Sequence, residues 1–327
     1  EGHAPPWTQV VLAGLGLGLT VAIKPHFAAL AAFPVLWAMW RGRASRPWTW
    51  PELWIAALGV GAYALAVLAW FPAYLTGVLP VARDVYVPIR ASWRELLTLP
   101  ALPLALAAAA LARVMRLDGR WLAVPMLAAL GGALAYLAQG KGWPYHAYPM
   151  LAFATLGLLA PAAMTPRAWS RLDRLMLLAP SLCALWVLAE NVQPASLARA
   201  VEAAAPSSPR LIAVTGNMGM GVPLVPILHA RWIGAAHSDW IAEGAMRREE
   251  AGGLDPSRRA RLDDLIAQDR ARLARDIHAG HPDVVLFDRK TFDWRAWALE
   301  DPSIAADMRA YRLTGVVQRI EVWARPS

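Results

Sequence analysis

Uncharged apolar runs of bilayer length alternate with short polar segments over roughly the first 190 residues of this chain. Runs near 54–76, 97–113, 121–139, 147–164 and 175–189 each approach the roughly 17–25 residues an apolar helix needs to cross a hydrocarbon core. With a further apolar block at 9–40, they predict a mainly α polytopic membrane domain over 1–190, of about six to seven helices. A small soluble α/β domain over 191–327 is predicted to follow.

The sequence Gln139-Gly140-Lys141-Gly142-Trp143-Pro144-Tyr145-His146 separates two stretches without a charged residue, 121–138 and 147–164. A hairpin of spanning helices brings Lys141, Tyr145 and His146 to one bilayer surface. A cation, a phenol and an imidazole at that level suit a lipid-linked anion.

The block 9–40 would be about 48 Å long as one helix, too long for a simple span and too short for two full ones. Lys24-Pro25-His26 interrupts it. Pro25 removes a helix hydrogen bond and biases Lys24 toward extended angles, so a break is predicted there. Lys24 stands roughly 24 Å along a helix from Trp40, near the level of the 139–146 segment. A charge at that depth faces a polar cavity or snorkels to the interface.

From about Asn191 the composition turns charged and mixed. Residues 211–214 and 284–287 are short continuous apolar runs of the kind that form buried strands. Asp255-Pro256 opens a helix that Gly280 closes. Leu262, Leu265, Ile266, Leu273 and Ile277 give that helix a one-sided stripe. Residues 316–324 alternate as a half-exposed final strand.

Composition agrees with the pattern. Hydrophobic residues make up 57% of the 327 and the mean hydropathy is +0.35, which excludes an ordinary soluble domain. The net charge of +8 would suggest nucleic acid in a soluble protein. Here it comes largely from short basic loops, which are topology signals, and nucleic acid is excluded as a partner. Cys183 is the single cysteine, so no intrachain disulfide forms and cysteine usage says nothing of compartment. Glu1-Gly2-His3 carries neither Met nor a signal peptide's basic region, so further residues are expected upstream.

Loop charge predicts orientation. Arg41, Arg43, Arg46, Arg113, Arg116, Arg120, Arg167, Arg171 and Arg174 mark one side, against Arg83, Arg90, Arg94 and Lys141 on the other. The richer side is expected to be cytoplasmic, which puts 80–95, 140–146 and the tail outside. For a bacterial inner-membrane protein that is the periplasm.

Several motifs lose to plainer readings. Gly216-Asn217-Met218-Gly219-Met220-Gly221 lacks the dinucleotide spacing, and Pro223 and Pro226 block the helix that would receive phosphates, so a flexible turn is expected. His278, His281 and Asp283 read as a helix terminus rather than a zinc site. His237-Ser238-Asp239 cannot form a triad, because adjacent side chains point apart. Arg83, Asp84, Tyr86, Arg90, Arg94 and Glu95 form either a solvated interfacial segment or, through forked arginines such as Arg90, a contact to substrate oxygens. Lys24, His26, Lys141, Tyr145 and His146 make the stronger set. Interfacial Lys and Tyr also serve as anchors, but convergent cations beside a phenol suit a phosphate leaving group. No cofactor is required; a divalent cation is optional, since fixed cations do the same electrostatic work.

The stretch Leu15-Gly16-Leu17-Gly18-Leu19-Thr20-Val21-Ala22-Ile23-Lys24-Pro25-His26 resembles the glycine-spaced helix ending in Lys-Pro of GT-C glycosyltransferases. These are multi-span enzymes, such as aminoarabinose transferases and protein mannosyltransferases, that use polyprenyl-phosphate sugars. The 139–146 loop looks like an outer loop of bacterial members. Pro282-Asp283-Val284-Val285-Leu286-Phe287-Asp288, with Tyr311 ahead of the last strand, is similar to their soluble domains. The resemblance implies transfer of a sugar from a polyprenyl-phosphate donor to a cell-envelope acceptor, with Lys24 and Lys141 on the donor phosphate and Tyr145 and His146 beside it. It also implies that the carboxylate base either belongs to a loop ahead of Glu1 or is supplied by a residue that no motif here marks. A transporter or flippase of a lipid-linked or anionic solute, or a non-catalytic assembly subunit, would use the same cationic face differently. Broken helices in paired repeats would mark a transporter, and only Lys24-Pro25 marks a break here.

Overall fold

The computed structural model describes residues 5–41, 46–117, 119–164, 168–189, 195–205, 207–290 and 292–326. The expected basic residues Arg43 and Arg167, the opening Glu1-Gly2-His3 and the boundary at Asn191 lie outside them. The chain is mostly helical, 71%, with a small five-stranded sheet. It divides into two units: Glu1–Val78 with Arg90–Glu190, and Leu79–Ile89 with Asn191–Ser327.

The first unit holds α1 (Trp7–Ile23), α2 (Ala28–Trp40), α3 (Pro51–Trp70), α4 (Trp93–Thr98), α5 (Ala101–Val114), α6 (Gly119–Gln139), α7 (Pro144–Met164) and α8 (Arg171–Ala189). Within them Pro51–Trp70, Trp121–Gln139 and Pro144–Met164 are long and apolar enough to cross a membrane. The block 9–40 breaks where Pro25 predicts. Lys24 is extended at φ −143° and ψ 100°, and Pro25–Phe27 form a 3-10 turn between α1 and α2. The expected run 54–76 ends early, at Trp70, because Phe71 before Pro72 leaves helical angles. The run 97–113 becomes two helices on either side of Pro100, and α5 is too short for a full span.

Helix α1 packs on α3, α2 on α6, and α6 on α7, which also meets α5 and α8. Gly14 and Gly18 lie one helical turn apart on the buried face of α1. A Cβ on Gly18 would stand 3.1 Å from the Ala56 carbonyl oxygen, so missing side chains set how closely α1 approaches α3. Gly16, which shares their spacing in the sequence, faces open space.

The second unit holds α9 (Ala195–Ala204), β1 (Arg210–Val214), β2 (Arg231–Trp232), α10 (Trp240–Glu250), α11 (Pro256–Gly280), β3 (Val284–Asp288), α12 (Trp294–Leu299), α13 (Pro302–Met308), β4 (Arg312–Val317) and β5 (Ile320–Ala324). The strand order is β2-β1-β3-β5-β4; β1 runs parallel to β2 and β3, and β5 is antiparallel to β3 and β4. Both faces of the sheet are buried at β1 and β3, which explains their continuous apolar runs. Ile212, Val214, Val285 and Phe287 pack toward α10–α13, while Leu211, Ala213, Val284 and Leu286 pack toward α9 and the turns around Met220 and Leu224.

Three expectations change here. The final strand at 316–324 is a hairpin instead, turning at Gln318 and Arg319, whose φ values of 49° and 67° suit a two-residue type I′ turn. Residues 218–221 form a single helical turn capped by the Asn217 side chain. The stripe on α11 divides: Leu273 and Ile277 cover the sheet, while Leu262 covers Val85. Asp84 pairs with Arg261 at 2.7 Å, and Val85 is fully buried. The part of the expected outer loop that spans Leu79–Ile89 is therefore packed into the second unit.

Candidate functional site

The site of the first unit forms where α6 turns into α7. Helix α6 ends at Gln139 because Gly140 takes a left-handed φ of 63°, a usual way to stop a helix. Gly142 is left-handed too, at 70°, and Pro144 starts α7 with its fixed φ. Tyr145 and His146 therefore occupy the first turn of α7, where the sequence pattern places them in the loop.

Arg90 and Ala91 hold this turn in place. The Ala91 amide donates to the Gly140 carbonyl at 2.8 Å, and Arg90 Nη2 donates to the Ala138 carbonyl at 3.1 Å. A Cβ on Gly140 would meet the Arg90 guanidinium at 2.5 Å, so a side chain there would displace Arg90 as well as strain the left-handed backbone. Arg90 thus supports the loop from its exposed position.

Held between two left-handed glycines, Lys141 is 8% exposed. Burial, and then the Arg90 charge, lower its ammonium to about 8. Its Nζ lies 5.9 Å from the Trp143 ring centroid. Lys24 enters from the break between α1 and α2, with Nζ 4.7 Å from the Tyr145 centroid and 5.6 Å from that of Phe27. The Tyr145 and His146 rings meet edge to face at 4.3 Å, and Trp143 stands 5.4 Å from His146. His26 is exposed and hydrogen-bonds the Gln139 side chain. Gln139 Nε2 in turn donates to the Ala135 carbonyl at 3.1 Å.

His146 is the unusual member. It is 1% exposed, and neither ring nitrogen has a hydrogen-bond partner among the described residues. Lys24, Lys141 and His26 all act on it electrostatically. A buried polar group without a partner is costly, and here the surrounding charge is positive. The group that would satisfy this imidazole is an anionic oxygen, which any tautomer can meet with an N–H. Tyr136 adds a buried hydroxyl, also without a partner among the described residues, at 1% exposure, one turn back on α6. Its place inside an uncharged run disguises it as core.

The carboxylates of the other sequence candidates have structural partners. Asp283 accepts from Arg210 through both oxygens, and His278 pairs with Asp307. Asp239, beside His237 and Ser238, accepts from the Thr215 amide and from Arg272. Among the described residues no group of three His, Cys, Asp or Glu side chains is arranged to hold a metal.

Comparison with protein-family models, curated proteins and solved structures found no match to this chain.

Proposed function

We propose that the chain is an integral-membrane glycosyltransferase, GT-C-like in its helical part, that takes a sugar from a polyprenyl-phosphate donor and passes it to a cell-envelope acceptor. The observation that carries this is the buried His146 imidazole, lacking partners among the described residues and lying in the field of Lys24 and Lys141. Membrane embedding is supported by α3, an apolar helix on all sides whose Leu58 is 70% exposed and Trp70 75% exposed.

In this reading the acceptor hydroxyl attacks the anomeric carbon while the bond from that carbon to the phosphate oxygen breaks. The polyprenyl phosphate leaves with an added negative charge. Lys24 and Lys141 stabilise that charge in a site of low dielectric, where fixed cations act more strongly than in water. His146 donates to a phosphate oxygen, and Tyr145 fixes Lys24 through its ring face. None of these four is a carboxylate, so the base for the acceptor hydroxyl lies outside this group.

The test is transfer of radiolabelled sugar from a polyprenyl-phosphate donor in proteoliposomes. Lys24→Ala and Lys141→Ala should each lower the rate at least a hundredfold, and full activity in both would sink the assignment. Flux of the lipid-linked donor without a covalent product would assign the site to transit instead.

A further inference from the structure

The second unit carries a concavity of about 510 Å³ that the proposed reaction does not use, lined by Arg210, Arg231, Arg275, Trp232, Ile233 and Gly280 among others. It opens where β1 and β2 begin and α11 ends. Its three arginines are not equivalent. Arg210 is fixed: Nε and Nη2 donate to the two Asp283 oxygens at 3.3 and 2.9 Å, and Nη1 donates to the Gly280 carbonyl. Asp283 thereby neutralises it. Arg231 and Arg275 are exposed, and neither has an ion pair or side-chain hydrogen bond among the described residues. Asp276, the acidic residue of the wall, is engaged by the Ala235 amide at 2.9 Å and by Arg272 at 3.8 Å.

Two guanidinium groups without a carboxylate therefore face one cavity whose own acidic residue is already taken. Guanidinium recognises phosphate and carboxylate through paired N–H bonds. The volume lies within the range of small-molecule sites, roughly 300–1,000 Å³, and far exceeds what a bare phosphate fills. Trp232 supplies a rigid apolar wall: its ring is wedged against Gly221 and its Nε1 donates to the Ala236 carbonyl at 3.2 Å. A ring with one apolar face and an attached anion matches both halves of the cavity.

We infer that this cavity is a binding site for an anionic saccharide, with Arg231 and Arg275 on its phosphate or carboxylate and Trp232 and Ile233 against the sugar ring. The inference does not depend on the glycosyl-transfer reading.

Calorimetric titration of the full chain in nanodiscs tests it, with glucose 6-phosphate, glucose and inorganic phosphate as probes. Glucose 6-phosphate should bind at least tenfold more tightly than either glucose or inorganic phosphate. Arg231→Ala and Arg275→Ala should each weaken it at least fivefold, whereas Lys141→Ala should leave it unchanged. Both arginines are exposed, and an unchanged thermal transition in the variants keeps the comparison clean. Arg231→Gln repeats the test if the alanine variant is destabilised. Absence of glucose 6-phosphate binding at millimolar concentration overturns the inference. So does equal binding of inorganic phosphate, which would mark an unspecific anion groove, or loss of binding in Lys141→Ala alone.

Discussion

Lys24 lies over the Tyr145 ring, with Nζ 4.7 Å from its centroid, and so joins the break after α1 to the first turn of α7. The contact orients a cation that the helix itself cannot place, because the backbone at Lys24 is already extended. Such a cation–π contact contributes about 0.5–2 kcal/mol, or about 2–30-fold in an equilibrium constant. Tyr145→Leu should therefore weaken binding of a polyprenyl phosphate analogue such as farnesyl phosphate by about 2–30-fold. Tyr145→Phe, which keeps the ring, should stay within about threefold of the parent by this estimate. Equal losses in Phe and Leu would mean that the hydroxyl, not the ring face, matters.

Lys141 gives the same site a pH dependence. Its ammonium sits at about 8 because it is buried and faces Arg90, and only the protonated form attracts an anion. Farnesyl phosphate affinity should fall as pH rises from 7 to 9, and Lys141→Arg should flatten the profile. Folding linkage has the opposite sign. Between about 8 and the ordinary value of 10.5, the folded chain without ligand binds fewer protons than the unfolded chain, so its stability rises with pH there. Affinity that increases above pH 8 would remove Lys141 from the anion site.

The close approach of α1 and α3 predicts a contrast between two glycines of the same run. A Cβ on Gly14 would stand 2.7 Å from Ile55 Cβ and 2.8 Å from the Glu52 carbonyl oxygen, whereas one on Gly16 meets nothing within 4 Å. Gly14→Ala should destabilise the helix pair by about 1–3 kcal/mol, as overpacking does. Gly16→Ala should be neutral or stabilising by up to about 1 kcal/mol, from helix propensity. Thermal unfolding in detergent reads both, and equal effects would discard this packing.

The break at Lys24-Pro25 and the two buried strands were legible in the sequence, since proline geometry and continuous apolar runs act locally. So was the meeting of Lys24 with the 139–146 segment, which follows from helix length. The support by Arg90 was not legible in the same way, because it depends on which loop meets Gly140. Burial of Val85 under Leu262 was hidden for a similar reason: residues 79–89 read as an interfacial segment until α11 covers them. Tyr136 and the hairpin at Gln318-Arg319 were masked by their surroundings. A tyrosine in an apolar helix resembles core, and left-handed Gln and Arg carry no glycine to mark the turn.

The most demanding electrostatics in the second unit concern Arg272, which holds two buried carboxylates, Asp239 at 2.7 Å and Asp269 at 2.6 Å. Burial first, and Asp269 second, push Asp239 up to about 7 despite Arg272 and the Thr215 amide. Because this lies above the ordinary 3.8, the folded state keeps a proton that the unfolded chain releases. Stability from this group is therefore greatest below about pH 4 and is lost as pH rises to about 7. Arg272→Ala leaves both carboxylates buried without their cation and should cost about 3–5 kcal/mol at pH 7. The loss should shrink toward pH 5, as Asp239 takes up a proton. Hydrogen exchange at the Thr215 and Ala242 amides, which donate to Asp239 and Asp269, follows this unit within the whole chain. Protection that is insensitive to pH between 5 and 7 in Arg272→Ala would show that the carboxylates are not the cause.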